Sequence, residues 1–96
     1  MWEKKIKRLA AAVINEFGYT KESDIWESSR SPLNCWSRWI MWHHMLKWGM
    51  TLKMAAGYSG FDRGAVAYGA RMIHRDLLQF DELQEMFFNI TSAVAE

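Results

Sequence analysis

Apolar residues recur along this chain with a period near 3.6, and almost nowhere with a period of two. Ile6, Leu9, Ala10, Val13, Ile14 and Phe17 form one stripe, which predicts a first helix over residues 3–17. Gly18 follows it as a stop. Thr20 then precedes Lys21-Glu22-Ser23-Asp24 and the apolar pair Ile25-Trp26, the signature of a capped second helix about two turns long. Ser31-Pro32 opens a third and longer helix. Its apolar residues, Trp36, Trp39, Ile40, Met41, Trp42, Met45 and Leu46, nearly encircle it up to Trp48 and Gly49, as expected of the central helix of a small bundle.

Thr51 caps a fourth helix, Leu52 to about Tyr58, which Ser59-Gly60 breaks. Asp62 caps a fifth, in which Val66, Ala70, Ile73 and Leu77 share a face. A sixth opens at Asp81 and packs through Leu83, Met86, Phe87, Ile90 and Val94. The expected fold is therefore all-α, a six-helix bundle in one domain spanning 1–96.

Composition changes this picture little. At 96 residues, with 50% apolar residues and one Pro, the chain supports one modest core and excludes any two-domain enzyme. Cys35 is alone, so no internal disulfide exists. Neither a secretory signal nor a membrane-length apolar run is evident, which makes a reducing cytoplasm the expected compartment. Charge is more informative. Residues 1–75 carry twelve Lys and Arg against six acids, whereas 76–96 carry five acids and no Lys or Arg.

Residues 51–75 concentrate the candidate chemistry. A short helix, a Gly-containing break and a longer helix with basic outer positions have the layout of a helix-turn-helix, whose second helix enters the DNA major groove. Turning Val66, Ala70 and Ile73 inward sends Arg63, Ala67 and Arg71 outward, with Gly64, Tyr68 and Arg75 in a second outward row. Arg63, in the first turn, is placed to reach base edges with a planar fork. Gly64 and Ala65 let the backbone approach closely. Lys53, Arg71 and Arg75 would hold phosphates.

The order of residues adds a resemblance. Val13-x-x-Glu16-Phe17-Gly18-Tyr19-Thr20, then Ser28-Ser29-Arg30, then Ser37-Arg38-Trp39-Ile40-Met41, then Thr51-Leu52, then Phe61-Asp62-Arg63-Gly64-Ala65-Val66 resembles the C-terminal DNA-binding domain of the bacterial replication initiator DnaA, of the Trp-repressor-like helical class. It covers roughly residues 10–88. The resemblance implies roles for Asp62, which matches the motif aspartate, for Arg71 as the basic residue after the motif, for Arg38 as a minor-groove arginine and for Arg30 at the end of the second helix. Arg63 stands where the family has histidine, Gly64-Ala65 where it has two hydroxyl residues, and Phe61 where it has arginine. Duplex binding is thus implied more strongly than the family's target sequence. No G-x-x-x-x-G-K-[ST] loop occurs, so the ATPase module usual in that family is not expected in this chain; a separate replication protein is an expected partner.

Other features read as structure. His43 and His44 are adjacent and about 100° apart on a helix, unsuited to sharing a metal as an i, i+4 pair would; Cys35 is eight residues from His43 and His74 distant, so they read as core or boundary histidines. The Trp36, Trp39, Trp42 ladder reads as core rather than a base-stacking strip. Lys4-Lys5-Lys7-Arg8 reads as a solvated helix face or a phosphate contact. No nucleophile–base pair is recognisable, so neither catalysis nor a cofactor is expected. The rival to a DNA-binding protein is an interaction module on the same fold, docking a partner through exposed Trp, Met and the acidic last helix.

Overall fold

A computed structural model describes residues 2–95. It contains five α-helices, α1 (Trp2–Phe17), α2 (Pro32–Lys47), α3 (Leu52–Ser59), α4 (Arg63–Gln79) and α5 (Asp81–Val94), with a 3-10 turn at Glu22–Asp24 and no strand among the described residues. The all-α expectation holds. The expectation of six helices does not: the second helix is that single turn.

Local hydrogen bonding explains the shortfall. The Asp24 carboxylate accepts from the Thr20 amide (3.0 Å), the Thr20 hydroxyl (3.0 Å) and the Lys21 amide (3.2 Å), bonds that favour its ionised form and hold its pKa below the usual carboxylate range. The backbone here closes tight i to i+3 bonds, Ile25 N–H to the Glu22 carbonyl at 2.9 Å and Trp26 N–H to Ser23 at 3.2 Å. Only three residues separate donor and acceptor, a geometry rarely sustained beyond one turn. Pro32 then requires an extended residue before it, and Ser31 has ψ 147°.

Helices α2, α3 and α4 start where their caps predict, whereas α5 follows Phe80 with no side-chain cap. Ser31, Thr51 and Asp62 accept from the amides of Asn34, Met54 and Ala65, satisfying donors that a helix start leaves open. A single residue, Phe80, joins α4 to α5.

The central position of α2 follows from its sequence. Trp36, Ile40, Met41, Trp42 and Met45 are all buried on it. One side lies on α4 and another on α1, while α5 covers α1 and α3 covers α4. Leu9, Val13, Ile25, Val66, Ile73, Leu83 and Ile90 complete a core with no solvent exposure at these positions, each aliphatic side chain contributing roughly 1.5–3 kcal/mol.

The crossing of α2 and α4 rests on Gly69. A Cβ there would lie 2.3 Å from Trp39 Cδ1 and 2.8 Å from Trp42 Cε3, so the two indoles fill the space of the missing side chain. Among the described residues no helix is long and apolar enough to cross a membrane.

Candidate nucleic-acid interface

Over the region read as a helix-turn-helix, 51–75, the chain forms α3, a turn and the start of α4, which runs on to Gln79. Gly60 makes the turn in the left-handed region, φ 77°, where a side chain would be strained. Phe61 fastens it: its ring meets Trp42 edge-on at 5.4 Å and lies 5.1 Å under the Arg38 guanidinium. Tyr58 fixes the end of α3 from below, donating to Glu22 Oε2 at 2.7 Å and meeting Trp26 edge-on at 6.2 Å. Burial, then the bond to Glu22, pushes its phenol up to about 12.

On the outer side of this unit Lys53, Arg63, Gly64 and Arg71 are exposed. Lys53 and Arg63 make no hydrogen bond or ion pair among the described residues. Arg71 stands over the Tyr68 ring at 5.8 Å, and Tyr68, 48% exposed, in turn meets Trp39 edge-on at 6.0 Å. The Asp62 carboxylate is committed to capping, accepting from the Ala65 amide at 2.7 Å, and lies 3.3 Å from where a Cβ on Gly64 would fall. Glycine at 64 therefore keeps both the cap and the approach of the backbone open. Ala65 is half-buried and faces inward beside Tyr68.

Two of the arginines assigned from sequence stand differently. Arg38 is 6% exposed: one guanidinium nitrogen donates to the Ser29 carbonyl at 2.9 Å, and the other to the Glu27 carbonyl. It ties the irregular segment 27–31 to α2, and the proposed minor-groove contact is lost to burial. Arg75 is at the surface but forms a two-pronged ion pair with Asp76, Nε and a terminal nitrogen each 2.9 Å from Oδ1. Asp76 is itself buried and accepts from the Trp36 indole at 3.0 Å. The Arg75 charge is offset, which leaves Arg30, Lys53, Arg63 and Arg71 as the exposed cations without a carboxylate among the residues assigned from sequence. Sequence spacing missed Asp76 because neighbours at i and i+1 diverge on a helix; the Trp36 indole on α2 holds one carboxylate oxygen while Arg75 takes the other.

His44 is buried and His43 half-buried, as core or boundary histidines, and His74 joins them. His74 packs on His43 with ring centroids 5.1 Å apart, His43 on His44 at 5.1 Å, and Phe87 of α5 closes the corner at 5.2 Å from His43. The remoteness of His74 in sequence is undone because α4 lies along α2. His44 Nδ1–H donates to the Ile40 carbonyl at 2.9 Å, which leaves Nε2 to accept from the Thr91 hydroxyl at 3.1 Å. Burial pulls His43 down to about 4, helped by His44, His74 and Lys47, and pulls His44 down as well. Among the described residues no group of three His, Cys, Asp or Glu is disposed to hold a metal.

Comparison with protein-family models, with curated proteins and with solved structures returns no match.

Proposed function

We propose that this chain binds double-stranded DNA through the outer face of α4, as a helix-turn-helix domain of the DnaA C-terminal, Trp-repressor-like type that works in replication initiation or its regulation. The observation that carries the reading is the set of exposed, carboxylate-free cations around the turn: Lys53 on α3, and Arg63 and Arg71 on α4. Arg63 reads a base edge from the first turn of α4. Lys53, Arg71 and Arg30 hold phosphates. Gly64 lets the helix start approach the groove. Arg38 and Asp62 act one step removed, by fixing the 27–31 segment and the start of α4.

Three cations acting on phosphates give log K a slope of about −2.7 against log salt, at roughly −0.9 per neutralised phosphate. Fluorescence anisotropy on mixed-sequence duplexes at rising salt tests this. Arg71→Ala should flatten the slope by about one, and Arg63→Ala should cost about 1–3 kcal/mol on a selected site. Absence of binding at low salt, or indifference to both substitutions, removes the reading.

A second reading has one observation of its own. Leu78 and Phe88 are 86% and 69% exposed, close in sequence to Asp81, Glu82 and Glu85, which favours a protein partner docking on that end. On this reading the chain is an interaction module of the same fold that has lost DNA binding.

A further inference from the structure

A cleft of about 440 Å³ opens between the start of α4, the turn and the 27–31 segment, within the roughly 300–1,000 Å³ that small-molecule sites span. Arg30, Arg38, Trp39, Trp42, Phe61 and Tyr68 line it, with smaller residues between them. Among the described residues no carboxylate belongs to that lining, so the cleft is cationic. It is also walled by aromatic rings. Trp39 is half-buried and Tyr68 exposed, so two of these rings reach an incoming molecule.

The same wall contains a second anomaly. Arg38 Nε and Trp42 Nε1 are buried N–H groups without any hydrogen-bond partner. Buried donors are paired in the great majority of cases, and an orphan is costly. Here two orphans belong to residues of one cleft, on α2. Both atoms are closed off from solvent, so an acceptor in the cleft reaches them only when the wall shifts.

We infer that this cleft is a nucleotide site, taking an unpaired base among Trp39, Phe61 and Tyr68 and its phosphate at Arg30. Three features select that chemistry. Planar rings accept any base through its π-face. Ring nitrogens and carbonyls of a base supply the acceptors that the Arg38 and Trp42 N–H groups lack. An exposed arginine at the rim, with Arg71 above Tyr68 beside it, suits a phosphate. A free mononucleotide and a nucleotide of an unpaired strand share this chemistry. The inference shares Arg30 and Arg71 with the duplex reading but differs from it in resting on the rings of the cleft and on α2.

Two-dimensional ¹H–¹⁵N spectra test it, because the two orphaned donors are themselves observable. Thymidine monophosphate, a short oligothymidylate and inorganic phosphate are titrated separately into the whole chain. The expected result is movement of the Trp42 indole and Arg38 Nε–H signals with a nucleotide ligand and not with phosphate alone. Response to the mononucleotide identifies a free nucleotide as sufficient; response to the oligomer alone identifies a strand. Arg30→Ala and Tyr68→Ala, both at exposed positions, should each weaken the titration about tenfold, the loss of one charge-assisted bond or one stacking partner. The inference is overturned if neither nucleotide moves those two signals, if phosphate moves them equally, or if both variants bind as the parent does. A chain that takes up thymidine monophosphate but ignores duplexes keeps this inference and removes the duplex reading.

Discussion

Arg38 and His44 both belong to α2 and are buried almost equally, at 6% and 4% exposure, yet their surroundings differ in kind. At the His44 end, where α2, α4 and α5 meet, each ring nitrogen has a partner and three other rings close the corner. At the Arg38 end the guanidinium secures an irregular segment by two carbonyls while its Nε, and the nearby Trp42 Nε1, stay unpaired beside a cleft. A fully satisfied polar cluster makes a rigid, specific joint; a partly satisfied one costs stability. The closed end is scaffold. The open end, adjoining the turn and the start of α4, is where a ligand gains something by binding.

The junction between the two ends is the most sensitive point. Gly69→Ala drives a methyl into Trp39 and Trp42 and should destabilise the chain by about 3 kcal/mol, at the upper end of overpacking costs, measured by urea unfolding. His44→Leu comes next: it strips Thr91 of its buried partner and should cost about 2 kcal/mol. Arg38→Met keeps the alkyl stem and abolishes the orphaned Nε–H while freeing two carbonyls on an exposed segment, so its cost should stay below about 1 kcal/mol. The contrast between these two substitutions is the sharp test: equal costs would erase the distinction between the ends.

The closed end should also be the acid-sensitive one. His43 is held down to about 4 chiefly by burial, against an ordinary value of 6.5, and His74, His44 and Lys47 are its charged or titratable neighbours. Because the folded state resists protonation, the unfolded chain binds more protons between those values and stability rises with pH. Stability contributed by neutral His43 is complete above pH 6.5 and declines as pH falls toward 4. Melting temperature should drop by several degrees over that window in the parent and less in His43→Phe, which keeps an aromatic ring against Phe87.

Much of the scaffold was legible in the chain itself. The stripe from Ile6 to Phe17, the Ser31-Pro32 start, the caps at Thr51 and Asp62 and the all-round apolar α2 carry strong local signals, and each became the element expected. What stayed hidden depends on contacts between elements. The shrinkage of the second helix to one 3-10 turn follows from the Asp24 side chain competing for backbone amides, which composition does not reveal. Burial of Arg38 depends on where 27–31 folds, and neutralisation of Arg75 depends on Trp36 holding Asp76 in place. Gly69 looked like any helical glycine until the indoles of α2 were set against it. Of the candidate interface, Arg63, Gly64, Tyr68 and Arg71 stand on the open side as the periodicity of Val66, Ile73 and Leu77 requires, whereas the cleft beneath Tyr68 has no sequence signature.

The most direct measurement is a ¹H–¹⁵N footprint of a mixed-sequence duplex on the chain at low salt. Binding through the outer face of α4 predicts shifts concentrated at Lys53, Arg63, Gly64 and Arg71, fading as salt rises, with the His43–His44–His74 corner unmoved. Shifts centred on Leu78 and Phe88, or none at the start of α4, would contradict it.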